Sequence, residues 1–261
     1  GDRLSGWQLA LLLGLFLFGI GKAAVMPAHR WLPAAMVAPT PVSAVLHAVA
    51  VVKAGVFTLV KVMVAVFGTE TLAGVVEARW VLWIACFTVL VASLVALRQT
   101  SIKRLLAYST ISQLSYVILA VALFHPVGSL AAVLHILAHG LGKITLFFAA
   151  GALATAHGVK YVGQLDGIGR RMPVTLAPAA GFVSKWYMLL AAQESGQTVA
   201  VATLVLSTLL NAGYFLPLLH RAWFRPSADG KTGFAEAPVT MVVPLALTAL
   251  AILAFFLFHA P

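Results

Sequence analysis

Residues 135–148 read HILAHGLGKITLFF, and they lie within a mostly apolar run from about residue 128 to residue 156. On a helix, His135, His139 and Lys143 follow one another at intervals of four residues, so their side chains stack on one face. The run is long enough to cross the ~30 Å hydrocarbon core of a membrane, where ionisable groups are rare. The stretch therefore predicts a membrane helix that carries a column of three ionisable side chains, and this column needs an explanation.

The composition of the whole chain is typical of a membrane protein. Of its 261 residues, 62% are hydrophobic and only 9% are charged, whereas a soluble domain carries roughly 25% charged residues. The only cysteine, Cys86, lies in an apolar run, so no disulfide can form within the chain. Apolar segments recur along the sequence, and they predict an all-α membrane protein with a single polytopic domain over residues 1–261.

About eight transmembrane helices are expected from the apolar runs and the turns between them. Their predicted bounds are 6–27, 41–67, 80–97, 104–124, 129–156, 173–194, 199–221 and 238–258. The turn PTPVS predicts Thr40 as an N-cap and Pro41 as the first helical residue. The chain begins with Gly rather than Met, and we interpret it as part of a longer protein.

The net charge of +10 is explained by topology rather than by nucleic-acid binding. Ten basic residues fall in the odd-numbered connections: Arg30, Arg98, Lys103, Arg104, Lys160, Arg170, Arg171, Arg221, Arg225 and Lys231. The opposite side has at most three, namely Arg3, Arg79 and Lys61. By the positive-inside rule, the odd-numbered connections face the cytoplasm and both ends of the chain face outward. We therefore expect a multi-pass protein of the cell inner membrane, with anionic lipid as a minor partner.

Seven ionisable side chains fall within the predicted spans: Lys22, His47, Lys53, His135, His139, Lys143 and Lys185. A lysine at the bilayer centre costs at least about 2.5–3.5 kcal/mol, and such residues typically mark ion pathways. Lys61 and Lys185 can reach the interface by snorkelling, but Lys143 lies near the middle of its span. Members of the column are about 6 Å apart along the helix axis, which suits proton transfer through bridging water.

Two other interpretations of these residues stay open. Polar side chains can hydrogen-bond neighbouring helices, and the stripe Tyr108, Ser109, Ser112, Gln113 and Tyr116 suits that role or the lining of a water-filled space. The two histidines of the column could also share a metal, although no Cys or carboxylate is near and Lys143 would repel a cation.

Carboxylates are missing from the middle of the spans. All seven acidic residues lie in loops or at span ends: Asp2, Glu70, Glu77, Asp166, Glu194, Asp229 and Glu236. A buried charge without a partner is strongly unfavourable. The partner of these lysines is therefore expected outside this chain, in a missing segment or in another subunit.

Four stretches resemble one known family. They are GKAAVMPAHRWLPAAMVAPTPVSAVLHAVAVVKAGVF (21–57), SIKRLLAYSTISQLSYV (101–117), HILAHGLGK (135–143) and AGFVSKWYML (180–189). They resemble the antiporter-like subunits of respiratory complex I, membrane-bound hydrogenases and Mrp-type cation/proton antiporters. The first stretch and LDGIGRRMPVT (165–175) are most similar to the D-type Mrp subunit, of which the chain would be the C-terminal half.

The resemblance implies a role for each matching residue. Lys22, on a broken span, would pair with a glutamate of an earlier helix and begin a half-channel. His47 and Lys53 would carry the path sideways to the column His135, His139 and Lys143, which forms the central axis. Lys185, on a second broken span, would be the terminal site toward the outside, and Lys103 would lie near the cytoplasmic mouth.

The sequence departs from the family in two places. The earlier helices, including the one that bears the glutamate, are absent. Residues 172–185 are also short, because relatives carry an additional apolar half-helix there. The second departure puts the second broken helix and the surroundings of Lys185 in question.

The expected function is proton translocation within a multisubunit Na⁺/proton antiporter. The partners would be other subunits, protons, a monovalent cation and the lipid bilayer. The first alternative is a proton-pumping subunit of a complex I-like or hydrogenase assembly, in which case the chain would belong to an enzyme, a translocase; the second is a structural membrane subunit. Without a Cys cluster or a Gly-rich nucleotide loop, no cofactor is expected.

Overall fold

The structure, a computed structural model, describes residues 4–176, 183–227 and 233–258. In these ranges the chain folds into eight longer helices, and the predicted all-α architecture is confirmed. The helices are α1 (Gly6–Gly19), α2 (Thr40–Phe67), α3 (Val76–Leu97), α4 (Ile102–Val121), α5 (Pro126–His157), α6 (Val183–Glu194), α7 (Thr198–Phe224) and α8 (Val239–Phe258).

The helices differ in whether they can cross a membrane by themselves. Among the described residues, α2, α3, α4, α5 and α7 are long and apolar enough to do so. Helix α1 is apolar but has only 14 residues, and α6 has 12. The eight predicted spans therefore correspond to eight helices, of which these two are shorter than expected.

The predicted first span is broken, as the glycines on either side of Ile20 suggested. Helix α1 ends at Gly19, a 3₁₀ turn follows over Gly21–Ala23, and the chain becomes helical again at Trp31. The predicted interruption of the helix near Lys22 is therefore seen in the structure. A hydrogen bond connects the two parts of the broken segment, since the Trp31 indole Nε1 donates to the Gly21 carbonyl at 3.0 Å.

The start of the second helix differs by one residue from the prediction. Thr40 is the first helical residue and Pro39 is the N-cap, so Pro41 is the second helical residue. The predicted span 173–194 is helical from Val183 onward, and residues 177–182 of it lie outside the described residues. The additional half-helix of the relatives would fall in this region.

Helix α4 lies at the centre of the bundle. Most of its residues are buried, and it packs against α2, α3 and α5. Gly128, near the start of α5, allows close contact, because a Cβ atom there would lie 2.3 Å from the Ala120 carbonyl oxygen. Helix α5 in turn packs against α2, α6 and α8 as well as α4, so a side chain on α5 can reach four neighbouring helices.

The odd-numbered connections meet at one end of the bundle, which we call the basic end. Ile102 N donates to the Lys160 carbonyl at 3.1 Å, and Gly167 N donates to the Arg221 carbonyl at 3.1 Å. Ala235 N donates to the Arg171 carbonyl at 3.0 Å. The opposite end brings His125 and Glu194 within 3.7 Å. The predicted grouping of the basic connections on one side is therefore seen in the fold.

Candidate functional site

The column of α5 faces the interior of the bundle. His135, His139 and Lys143 are 3%, 8% and 3% exposed, so none of them faces lipid. The two imidazole rings are parallel within 3°, with centroids 5.9 Å apart. The stacking follows from the four-residue spacing on a regular helix.

Lys53 reaches the column from α2. Its side chain is 7% exposed, and its Nζ donates a hydrogen bond of 2.5 Å to the carbonyl of Ile136 on α5. Ile136 lies between the two column histidines in the sequence. The contact therefore places the Lys53 amine beside the part of the column formed by His135 and His139.

Lys143 is held by α4. Its Nζ donates to the Leu106 carbonyl at 3.1 Å and to the Ser109 hydroxyl. Both acceptors are neutral oxygen atoms. Ser109 belongs to the polar stripe of α4, so the stripe contributes directly to the surroundings of Lys143.

Lys185 lies at the other side of the column, on α6. Its Nζ is 5.0 Å from the centre of the Tyr116 ring, a cation–π distance. The neighbouring Ser184 hydroxyl lies 2.9 Å from His135 Nδ1. Although the region before α6 was in question, α6 therefore places Lys185 next to the column.

A cavity of about 250 Å³ separates these groups. Its wall includes Ser109, Gln113, His135, His139, Lys143, Ser184, Lys185 and Asn211. Several buried nitrogen atoms of this wall have no hydrogen-bond partner among the described residues: both ring nitrogens of His139, Nε2 of His135 and Nδ2 of Asn211. A polar cavity of this size has room for several water molecules, which would satisfy such atoms.

His47, which like Lys53 lies on α2, belongs to the same cluster. It is fully buried on a π-helical segment, Val45–Val49, and its ring centroid is 5.3 Å from that of Phe147. Neither of its ring nitrogens has a hydrogen-bond partner in the described part of the chain. His139 is within electrostatic range of His47, Lys53 and Lys143, so these groups form one cluster. Short π segments inside helices are frequent at functional sites.

Lys22 is not part of this cluster. Its side chain is exposed on the surface of the chain, although its backbone contacts α2. A Cβ atom at Gly55 would lie 2.6 Å from the Ala23 nitrogen, so only glycine permits this approach. The break thus leaves the Lys22 side chain on the surface of the bundle, away from the buried cluster.

Lys103 lies at the basic end of α4. Its Nζ donates to the Ala38 carbonyl at 2.6 Å and to the Met36 carbonyl at 3.4 Å. It therefore ties the segment before α2 to the start of α4. It does not line the polar cavity.

The polar stripe of α4 has two roles: some of its residues hydrogen-bond neighbouring helices, and others line the cavity. Ser112 pairs with Ser93 of α3 at 2.9 Å, and the Tyr116 hydroxyl pairs with Ser207 of α7 at 2.5 Å. These are helix-to-helix hydrogen bonds. Ser109 and Gln113 line the cavity instead.

Sequence reasoning missed the polar face of α7. Ser207, Asn211 and Tyr214 are all buried, and the Tyr214 hydroxyl donates to the Asn211 side-chain oxygen. Their spacing of four and three residues places them on one helix face, which was a usable signal. Asn211 is the member that reaches the cavity.

Carboxylates lie away from the cluster. The acidic residues that the structure describes are Glu70, Glu77, Asp166, Glu194 and Glu236, and none of them lines the cavity. In the described part of the chain, no three His, Cys, Asp or Glu side chains come together as a metal site. The buried lysines therefore have only neutral oxygen and aromatic partners among these residues.

Comparison with known proteins identifies the family. The family described as NADH:quinone oxidoreductase/Mrp antiporter, transmembrane, matches residues 2–211. The chain belongs to this family. The resemblance inferred from the four sequence stretches is therefore confirmed.

Three similar proteins indicate the range of this family. The chain is 34% identical to NADH-quinone oxidoreductase subunit N of Desulforudis audaxviator, over 95% of this chain and 55% of the relative. It is 36% identical to a component of a probable K⁺/H⁺ antiporter of Rhizobium meliloti, over 97% of this chain and 27% of the relative. The fold matches a chain of the Mrp complex from Dietzia sp. with a TM-score of 0.83 at 23% identity, covering 96% of this chain and 57% of that one. The chain thus spans from about a quarter to just over half the length of these relatives.

Proposed function

We propose that the chain is the C-terminal part of a proton-translocating subunit in a multisubunit monovalent cation/proton antiporter of the Mrp type, most similar to the D-type subunit. The observation that carries this proposal is the buried cluster that runs from Lys53 through the α5 column to Lys185. Its lysines have neutral partners among the described residues, and the polar cavity between Lys143 and Lys185 is lined by nitrogen atoms that have no partner within this part of the chain. We propose Na⁺ as the exchanged cation.

The geometry favours a path in which protons move between fixed side chains and water. Lys53 would pass a proton to the column beside Ile136, and His139 would relay it to Lys143. Water in the cavity would then link Lys143 and His135 to Lys185. An ammonium with no counter-charge is costly inside a membrane, so each lysine is better suited to passing a proton on than to retaining it.

Three further residues have proposed roles at the margins of this path. His47 would widen it on the side of α2, since both its ring nitrogens are available. Lys22 would accept a charged partner from an earlier helix, since its side chain faces away from the cluster. Lys103 would mark the cytoplasmic mouth at the basic end, and its two carbonyl contacts fix it there.

We propose that the basic end faces the cytoplasm and that the protein lies in the cell inner membrane. The excess of Lys and Arg at this end supports the orientation. Both ends of this chain would then lie on the outer side. Labelling of single cysteines introduced at Arg104 and Glu194 from either side of the membrane would test it.

The central test is the variant Lys143→Ala in the full-length subunit within its complex, reconstituted in liposomes. We expect loss of cation-dependent proton flux, because the middle of the path is removed. Lys61→Ala is the matched control, because Lys61 is an exposed lysine whose Nζ lies 5.8 Å from the Phe57 ring centre. Unchanged flux in Lys143→Ala would leave a structural membrane subunit, which transports nothing, as the better interpretation.

A second candidate function is proton pumping in a complex I-like or hydrogenase assembly, with the redox chemistry in other subunits. The identity to a subunit N of NADH-quinone oxidoreductase favours it. Purification of the intact complex through a tag on this subunit distinguishes the two. Small membrane subunits of the antiporter type support the first candidate, whereas quinone-binding and iron–sulfur subunits support the second.

A further inference from the structure

A second cavity, of about 300 Å³, lies at the basic end between α4, α5 and α7. Its wall is apolar apart from two threonines, and it includes Leu105, Leu146, Ala149, Leu165, Leu218 and Ala222. Nearer the opposite end of the bundle, helix α6 packs against both α5 and α7. The cavity continues the space between these two helices toward the basic end.

Water is a poor occupant of this cavity. A buried water needs two to four polar partners. The Thr145 hydroxyl is already within 2.9 Å of the Leu141 carbonyl and 2.8 Å of the Thr248 hydroxyl. The Thr175 hydroxyl donates to Glu236 at 2.7 Å. The cavity is about twice as large as an apolar cavity of ~150 Å³ that stays dry and binds benzene.

Among the residues that the structure describes, the arginines near the cavity (Arg170, Arg221 and Arg225) outnumber the carboxylates (Asp166 and Glu236). Asp166, which follows the wall residue Leu165, lies 3.6 Å from Arg221 and 3.7 Å from Arg225. One carboxylate thus faces two guanidinium groups. Arg170 is close by, since its Nε donates to the Trp223 carbonyl at 3.0 Å. Basic pockets between membrane helices on the cytoplasmic side are typical sites for anionic lipid headgroups.

We propose that this cavity binds one acyl chain of an anionic phospholipid, whose phosphate is held by Arg221 and Arg225. Leu218, Leu219 and Leu176 are partly exposed, so the cavity is open to the surface of the chain. An acyl chain enters there from the bilayer, and the headgroup lies at the level of the arginines. The site does not depend on the proton path, because it shares only the wall residues Leu146 and Phe215 with the polar cavity.

The test is native mass spectrometry of the full-length subunit in its complex, released from nanodiscs of equal parts phosphatidylglycerol and phosphatidylcholine. We expect retention of phosphatidylglycerol over phosphatidylcholine. The double variant Arg221→Gln/Arg225→Gln should reduce this retention roughly tenfold, because each basic residue contributes to binding an anionic headgroup. The control is Arg98→Gln/Arg104→Gln, which removes two exposed arginines from the same end of the bundle.

A cavity-filling variant separates a lipid from a free phosphate ion. Ala149→Phe fills the apolar wall and leaves both arginines in place. A lipid site predicts lower retention of phosphatidylglycerol, whereas a site for phosphate alone predicts no change. Equal retention in Arg221→Gln/Arg225→Gln and in its control would overturn the proposal, and so would a cryo-EM map in which a protein segment fills the cavity. Monodisperse elution of each variant complex checks that it is folded.

Discussion

Basic side chains have different partners in two regions of the molecule. In the middle of the bundle, Lys53 and Lys143 are buried and donate to carbonyl and hydroxyl oxygens. At the basic end, two arginines lie beside the carboxylate of Asp166. Both regions are built by the same helices, since α4, α5 and α7 contribute to each.

The difference indicates what each region is for. A carboxylate beside a lysine fixes the positive charge and stabilises one arrangement. Neutral oxygens and water satisfy an amine without fixing its proton. The carboxylate pairs of the basic end therefore suit a structural clamp. The interior, where none of the described carboxylates lies, suits a proton that moves. Substitutions should accordingly change transport in one region and stability in the other.

The largest effect is expected for Lys53→Leu. The variant removes the amine that links α2 to the column, and a positioned proton-transfer group typically contributes at least about a hundredfold to a rate. The measurement is cation-dependent proton flux by the reconstituted full-length complex. Lys61→Leu, eight residues further along α2, is the control and should retain flux. Equal flux in the two variants would remove Lys53 from the path.

A smaller effect on transport is expected for Asn211→Leu. The leucine has a similar size but cannot hydrogen-bond water in the polar cavity, so we expect about a fivefold lower flux, equivalent to the ~1 kcal/mol of one hydrogen bond. Ser93→Ala is the control, because Ser93 is a buried polar residue that pairs with Ser112 away from the cavity. A similar loss in both variants would point to a general packing defect.

In the other region, Glu236→Ala should lower stability and leave flux unchanged. The carboxylate accepts hydrogen bonds from Val174 N at 2.7 Å and from the Thr175 hydroxyl at 2.7 Å. Their loss should cost about 1.5–3 kcal/mol, the range for a hydrogen bond to a charged group. Thermal unfolding of the purified complex measures it, with the exposed Glu70→Ala as control. Lost flux at unchanged stability would contradict the division between the two regions.

The smallest effect is expected for Asp166→Asn. Its two ion pairs are partly exposed, with N–O distances of 3.6 and 3.7 Å, and such pairs contribute ~0–1 kcal/mol. We expect a barely lower unfolding temperature and normal proton flux. A drop as large as that of Glu236→Ala would show that the pair stabilises the basic end more than surface pairs usually do.

Local pattern was sufficient to predict the helices and the column. The apolar runs predict the eight helices, and the four-residue spacing of His135, His139 and Lys143 predicts their common face without reference to any tertiary contact. The break near Lys22 was also predictable, because Gly19, Gly21 and Pro27 disfavour a continuous helix there. The grouping of the basic connections followed from counting Lys and Arg.

The remainder of the site depends on tertiary contacts. No spacing rule predicts that Lys53 donates to the Ile136 carbonyl or that Ser184 meets His135, because these pairs lie on different helices. The π-helical turn at His47 changes the direction of its side chain relative to a regular helix. Asn211 was within reach of sequence reasoning, since Ser207 and Tyr214 share its face, but the cavity that gives it a role is formed by four helices together.

The most direct test of the proposed path is a cryo-EM map of the full-length complex at a resolution that shows ordered water. We predict water density in the polar cavity, within hydrogen-bond distance of the His139 ring nitrogens and of Asn211 Nδ2, between Lys143 and Lys185. A cavity without density in a map that shows waters elsewhere, or one filled by apolar side chains, would contradict a proton path through this site.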